Sequence, residues 1–101
     1  MYYRPLPKNV TIKNSSIHGL GLFAVSFIPA KTRIGLTHIY SESYQDNYIR
    51  TPLGGFFNHN SVNPNCIVVK EENLLFLETV CDVNSGDELT AKYTLYNPEQ
   101  V

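Results

Sequence analysis

A ten-residue segment, 57–66, concentrates hydrogen-bonding side chains: it reads FNHNSVNPNC and holds four Asn, one His and one Pro. Asn and Pro favour turns, and an Asn amide can both donate and accept hydrogen bonds. Apolar residues flank the segment, at 53–57 and at 66–69. A polar loop between two buried elements can present its amides to a ligand, or it can merely connect two strands and cap their ends.

Two further segments carry residues suited to a binding site. The first is Gly19-Leu20-Gly21, in which missing side chains would let a ligand approach the backbone. It lacks the third glycine and the long helix of a dinucleotide-binding turn. The second begins at Gly86, reads GDEL, and leads to Tyr93. Each segment alone is a weak signal.

Length and charge limit the classes of protein to consider. A chain of 101 residues is expected to form one domain. Its formal net charge of −1 gives no basic stripe, so direct binding of nucleic acid is not expected. No apolar run approaches the roughly 18 residues of a membrane span, and no signal sequence is evident. We therefore expect a soluble, intracellular protein of the cytoplasm or nucleus.

The two cysteines, Cys66 and Cys81, do not form a metal-binding pattern, because neither belongs to a C-x2-C pair. We therefore expect no metal. The pair could form a disulfide, although nothing in the sequence indicates an oxidising compartment.

The elements that must position these segments are mostly short strands. Alternating or β-branched runs predict strands at 10–13, 22–25, 33–36, 66–70, 74–80 and 88–93, with a hairpin turn at 71–73. Apolar and tyrosine side chains spaced by about four residues predict a short helix over 42–49, ended by Pro52. The predicted fold is mainly β, with at most one short helix.

In their order and spacing, the three segments resemble the SET domain of protein lysine methyltransferases, over about Val10 to Tyr96. The resemblance implies a β-clip fold with a knot-like C-terminal crossing, to which the Pro64-Asn65 end of the Asn-rich segment contributes. It also implies S-adenosyl-L-methionine as cofactor and methyl transfer to the side-chain amine of a lysine in a partner protein, such as a histone tail.

The resemblance also assigns individual residues. Tyr93 matches the catalytic tyrosine, and His59 is implied to be structural rather than a general base. The tyrosines of the variable middle segment, Tyr44 and Tyr48, are candidates for the wall of a lysine channel. The cofactor-binding set is Gly19, Leu20, Gly21, Asn58, His59 and Tyr96.

Departures from the family pattern keep alternatives open. The step from His59 to Asn65 is one residue longer than usual, and Ala91 and Lys92 replace residue types common in the family. A Cys-rich zinc segment after the domain is missing, which suggests the minimal viral or bacterial members, some of which form homodimers. The alternatives are a SET-like module that binds cofactor or peptide without transferring a methyl group, and a purely structural small β protein.

Overall fold

The structure is a computed structural model that describes residues 6–42, 48–60 and 62–92. Strands dominate these ranges, and one short helix accompanies them, which confirms the mainly β prediction. No helix within the described ranges is both long and apolar enough to cross a membrane. The elements are β1 (Val10–Asn14), β2 (Leu20–Ala24), β3 (Arg33–Tyr40), β4 (Tyr48–Arg50), α1 (Pro52–Phe56), β5 (Asn58–His59), β6 (Cys66–Glu71), β7 (Leu74–Thr79) and β8 (Glu88–Ala91).

The described strands form one sheet in the order β1-β2-β8-β6-β7-β3-β4, and β5 pairs with β8 outside this path. Pairing is antiparallel except where β8 meets β5 and β6. Ala91 on β8 is paired both with His59 on β5 and with Cys66 on β6. Because a strand residue has two hydrogen-bonding edges, β8 lies between β5 and β6. The loop that joins them, 60–65, therefore crosses β8, which is the knot-like arrangement of this fold.

The side chain of Asn65 fastens this crossing. Its amide nitrogen donates to the carbonyl oxygen of Glu88 at 2.8 Å, and its amide oxygen accepts from the backbone N–H of Thr90 at 2.9 Å. The amide thereby pairs with β8 as another peptide group would. The backbone carbonyl of Asn65 also accepts from the N–H of Val80, so this residue connects β8 to the end of β7.

The hairpin of β6 and β7 lies where the sequence pattern predicts it, although β6 ends one residue later and β7 one residue earlier than predicted. Its register runs from the pair Cys66–Thr79 to the pair Glu71–Leu74. Glu72 in the turn has φ of +55°, a left-handed conformation that a tight reversal requires. Along β7, Leu75, Leu77 and Thr79 are buried and alternate with more exposed residues, as expected for a strand with one face on a core.

The hydrophobic core contains residues from most strands of the sheet and from helix α1. Each leucine buried there contributes about 1.5–3 kcal/mol. The crossing strand supplies two fully buried residues, Leu89 and Ala91, so the core closes only when β8 is in place. The buried cluster comprises Val10, Leu22, Ala24, Ile28, Ile34, Leu53, Phe57, Cys66, Leu77, Val83, Leu89 and Ala91.

The predicted helix over 42–49 is wrong where the structure describes it, because Tyr48 and Ile49 lie in β4. Residues 43–47 lie outside the described residues. The described helix starts at Pro52, the residue expected to end one. Thr51 caps the helix by accepting a hydrogen bond from the N–H of Gly54 at 3.3 Å. Proline suits the first helical turn, where its missing N–H would have no partner in the helix.

Candidate functional site

The amide nitrogen of Asn58 is the point at which the predicted segments meet. Asn58 is buried on β5, beside the crossing strand β8. Its Nδ2 atom lies within hydrogen-bonding distance of four oxygen atoms from the β1–β2 turn and β8. These are Glu88 Oε2 at 2.7 Å, Ser15 Oγ at 3.1 Å, the His18 carbonyl at 3.2 Å and the Leu20 carbonyl at 3.3 Å.

Glu88 and Ser15 complete this cluster. The hydroxyl of Ser15 lies 2.8 and 2.9 Å from the two carboxylate oxygens of Glu88, to which it donates its single hydrogen. Glu88 belongs to the GDEL segment, and Ser15 begins the turn that leads to Gly19. The structure therefore brings together the glycine turn, the Asn-rich segment and the GDEL segment. We call the side chains of Ser15, Asn58 and Glu88 the polar cluster.

The turn from Ser15 to Gly19 is held by its own hydrogen bonds. The N–H of Ser15 donates to the carbonyl of Gly19 at 2.7 Å. Its hydroxyl oxygen accepts from the N–H groups of Ile17 at 2.9 Å and His18 at 3.4 Å. Gly19 has φ of +50°, a left-handed conformation in which a side chain would be strained. Leu20 then begins β2 and leaves about half of its surface exposed.

The two glycines of the turn face different surroundings. A Cβ on Gly19 would meet no atom within 4 Å, so this end of the turn borders open space. A Cβ on Gly21 would overlap the Glu88 carboxylate and would lie 3.0 Å from Asn58 Nδ2. Gly21 is buried, and the polar cluster occupies the space where its side chain would stand. The protein itself therefore requires glycine at position 21.

His59 lies beside β8, whereas three of the four predicted tyrosines lie outside the described residues. His59 is half-buried on β5 and pairs with Ala91, and the next residue donates its N–H to the Ala91 carbonyl at 3.2 Å. Tyr93 follows two residues after Ala91 and lies outside the described residues, as do Tyr96 and Tyr44. The roles of these three tyrosines stay predictions.

Tyr48 lies in an aromatic group on β3 and β4. Its ring makes edge-to-face contacts with His38 and Tyr40, with centroids 5.9 and 5.7 Å away. The sheet order places four strands between β4 and β2, which carries the glycine turn. His38 is buried, and its Nδ1 atom lies 2.9 Å from the hydroxyl of Thr37. The buried position of His38 could not be predicted, because one histidine in an apolar strand gives no distinctive signal.

The Asn-rich loop contains a local turn at Asn60. The side-chain oxygen of Asn60 accepts hydrogen bonds from the N–H groups of Val62 at 3.0 Å and Asn63 at 3.1 Å. Such an Asx turn lets a short polar side chain stand in for a backbone acceptor. Val62 is 90% exposed, so it projects outward, while Asn58 and Asn65 make their contacts with β8.

The two cysteines are free thiols rather than a disulfide. Cys66 is fully buried opposite Ala91, whereas Cys81 is exposed. Burial raises the pKa of the Cys66 thiol to about 12. The Cys66 thiol is therefore neutral at physiological pH and serves as a core side chain, not as a nucleophile.

Sequence reasoning missed Ser15 and Glu88 as site residues. Glu88 lies inside the GDEL segment, where the resemblance assigns a role only to the tyrosine that follows. Ser15 had only a local signal, a small hydroxyl residue before a glycine turn. These two residues are separated by 73 positions in the chain, so no local pattern links them.

The fold is shared with known structures. A Plasmodium falciparum protein named as a candidate histone methyltransferase superposes with a TM-score of 0.70 at 21% identity, over 87% of this chain and 95% of that chain. The methyltransferase domain of human PR domain-containing protein 2 superposes with a TM-score of 0.69 at 14% identity, over 88% of this chain and 79% of that chain. The sequence matches no protein-family model and no curated protein.

This likeness concerns the fold. The chain has the mainly β SET-domain architecture, which confirms the fold class that the sequence resemblance implied. At such low identity, the side chains of this chain must supply the argument for any activity.

Proposed function

We propose that the chain is an S-adenosylmethionine-dependent protein-lysine N-methyltransferase, which transfers a methyl group to the side-chain amine of a lysine. The observation that carries the proposal is the convergence at Asn58, whose Nδ2 atom links the glycine turn to Glu88 on β8. Two solved structures with this fold carry methyltransferase names. Fold and convergence together support a site that binds the methyl donor.

The polar cluster fits a cationic ligand. The Asn58 amide has two hydrogens, and four acceptor oxygens surround its nitrogen within 3.3 Å. The carbonyls of His18 and Leu20 therefore keep unused acceptor capacity, next to the open space at Gly19. A cofactor that carries an ammonium and a sulfonium group matches such a surplus of acceptors, because cations attract carbonyl and carboxylate oxygens.

Particular residues would hold the cofactor. In this proposal the turn of Gly19, Leu20 and Gly21 accommodates the methionine part. Asn58 and His59 would contact the adenine and the amino-acid end through amide and backbone groups. Tyr96 is proposed to place its ring against the cofactor.

Methyl transfer requires orientation of the lysine amine more than it requires a strong base. When bound, S-adenosylmethionine supplies an electrophilic methyl group on a positively charged sulfur. A free lysine has a pKa of about 10.4, so its amine must lose a proton before it can attack. An apolar channel and a nearby positive charge both lower the pKa of that amine. The chain's task is then to exclude water and align the amine, which we assign to the hydroxyl of Tyr93 and to channel walls including Tyr44 and Tyr48.

The partner is proposed to be a protein that presents a lysine, with histone tails as the first candidates because one structural neighbour is named as a candidate histone methyltransferase. Kinship with the minimal viral or bacterial members, a homodimeric state and a location in the cytoplasm or nucleus are parts of the same proposal. Light scattering on the purified protein tests the homodimer directly.

The test combines cofactor binding with methyl transfer. Calorimetric titration with S-adenosylmethionine measures binding, and a radiolabelled methyl donor measures transfer to histones and to a cell lysate. Tyr93→Phe should lower transfer by about a hundredfold or more, since it removes the orienting hydroxyl. Tyr40→Phe is the matched control, because it removes a tyrosine hydroxyl on β3, and should leave transfer unchanged.

The outcomes separate the alternatives. Labelled lysine, identified by mass spectrometry, supports the enzyme. Tight cofactor binding without any labelled protein would instead assign the chain to the non-catalytic modules. Absence of cofactor binding would leave a structural β protein and end the proposal.

A further inference from the structure

We infer that Ser15 and Glu88 are positioning residues, which set the orientation of the Asn58 amide and the shape of the glycine turn for cofactor binding. The identity of the ligand rests on the proposed function. The positioning role itself rests on the hydrogen-bond geometry of the polar cluster. Both residues act through Asn58 and the turn, and neither is assigned a catalytic role.

The number of hydrogens on each side chain determines which hydrogen bonds form in the polar cluster. The Ser15 hydroxyl has one hydrogen, and the carboxylate of Glu88 receives it, because a carboxylate can only accept. The shortest contact of Asn58 Nδ2, at 2.7 Å, also goes to this carboxylate. Charge-assisted hydrogen bonds are the strong ones, so Glu88 takes one hydrogen of the Asn58 amide.

The second hydrogen of the Asn58 amide then faces the turn. Ser15 Oγ and the carbonyls of His18 and Leu20 share it, at 3.1 to 3.3 Å. The carboxylate and the two carbonyls can only accept, so all three favour the nitrogen end of the Asn58 amide at this place, and Glu88 provides the strongest of these contacts. A flipped amide would turn its oxygen toward the two carbonyls and repel them.

Ser15 holds the backbone of the turn through its hydroxyl group. Its hydroxyl oxygen accepts from the N–H groups of Ile17 and His18 while its hydrogen is committed to Glu88. The serine thus ties the backbone of the turn to β8, across 73 positions of sequence. An alanine at position 15 would release the N–H groups of the turn and remove one partner of the carboxylate.

Three variants at position 15 and its neighbour test the inference. Ser15→Ala removes the hydroxyl, Ser15→Thr keeps it, and Ser16→Ala removes the hydroxyl of the adjacent exposed serine. Calorimetry with S-adenosylmethionine measures the Kd, amide hydrogen exchange reports on residues 17–21, and thermal melting reports on the whole fold. Where transfer is detectable, kcat and KM for the cofactor are measured separately.

The expected pattern is specific to positioning. Ser15→Ala should weaken cofactor binding by about tenfold, raise KM by a similar factor and leave kcat within about twofold. The amides of residues 17 and 18 should exchange faster in Ser15→Ala. Ser15→Thr should bind within about threefold of the wild type, and Ser16→Ala should match it. Glu88→Gln should also weaken binding, because a neutral amide oxygen accepts more weakly than a carboxylate, and the amide NH2 places a donor where the second acceptor oxygen stood.

The contrary outcomes are distinct. Unchanged exchange at residues 17–21 in Ser15→Ala overturns the proposed hold on the turn. Unchanged Kd in Ser15→Ala, with a wild type that binds, overturns the positioning role while the proposed function stands. A wild type that binds no S-adenosylmethionine overturns the proposed function and the cofactor role, and hydrogen exchange still decides the role of Ser15 in the turn.

Discussion

The substitution Gly21→Ala tests whether the polar cluster, and not only an approaching ligand, demands glycine at that position. The carbon of the Glu88 carboxylate would lie 2.9 Å from the new Cβ, whereas ordinary contacts begin at 3.4 Å. The carboxylate must therefore retreat by about 0.5 Å or more. Its Oε2 oxygen overlaps the new Cβ and must move further than the carbon, and Oε2 is the atom that accepts the 2.7 Å hydrogen bond from Asn58, so this bond is lost. The loss of a hydrogen bond to a charged group costs about 2 kcal/mol.

Urea denaturation measures this cost. Small domains lose roughly 1–3 kcal/mol of unfolding free energy per molar urea, so Gly21→Ala should lower the unfolding midpoint by roughly 1 M. Gly19→Ala is the matched control: its Cβ would meet no atom, and only backbone strain of about 1 kcal/mol applies. Cofactor affinity should fall for Gly21→Ala in parallel, since the Asn58 amide loses its partner.

A double-mutant cycle makes the reasoning refutable. Glu88→Ala removes the side chain that obstructs the new Cβ, so Gly21→Ala should cost much less in that background. Strictly additive effects of the two substitutions would show that the carboxylate is not the obstacle. A Gly21→Ala protein as stable as the wild type would refute the argument outright.

Further predictions concern the helix, the buried thiol and the crossing. Gly54→Ala should destabilise the fold by about 2 kcal/mol or more, because its Cβ would overlap a backbone carbonyl of β3. The Cβ of Gly55→Ala meets open space, and this variant should stabilise the fold by about 0.5–1 kcal/mol. Chemical denaturation compares the two variants. Burial raises the pKa of the Cys66 thiol to about 12, so its contribution to the free energy of unfolding is complete below about pH 9 and is lost as pH rises toward 12. The stability of Cys66→Ala should therefore depend less on pH over this range. Maleimide should label Cys81 in the folded protein and Cys66 only after unfolding; equal labelling rates would contradict its burial. Asn65→Asp loses its donation to a β8 carbonyl and should cost about 1–3 kcal/mol in a urea titration; an unchanged midpoint would refute the fastening role.

Local pattern predicted the parts of the fold that local interactions form. The hairpin of β6 and β7 follows from two apolar runs on either side of a polar turn, and β1 from a β-branched run. The spacing of tyrosines near Tyr48 gave the wrong element. A period near four is also compatible with a half-buried edge strand, and Pro52 can start a helix as readily as follow one.

The candidate site could be predicted only in part. The glycine turn and Asn58 emerged from resemblance, since no local rule joins segments about 40 positions apart. Ser15 and Glu88 could not be predicted as site residues, because only their contact in the folded protein, between positions 73 residues apart, indicates a role. The reason for glycine at position 21 was likewise invisible, because it depends on which side chains fill the space above the backbone.

The placement of β8 has a consequence for biosynthesis. This strand is translated after every other described strand, yet it lies third in the sheet and alone joins β2 to β6 in the strand order. A nascent chain that ends before Glu88 would thus hold two half-sheets with unpaired edges, ready to associate with other molecules. Emergence of β8 from the ribosome would then join the two half-sheets in one step, by insertion beneath a loop already made.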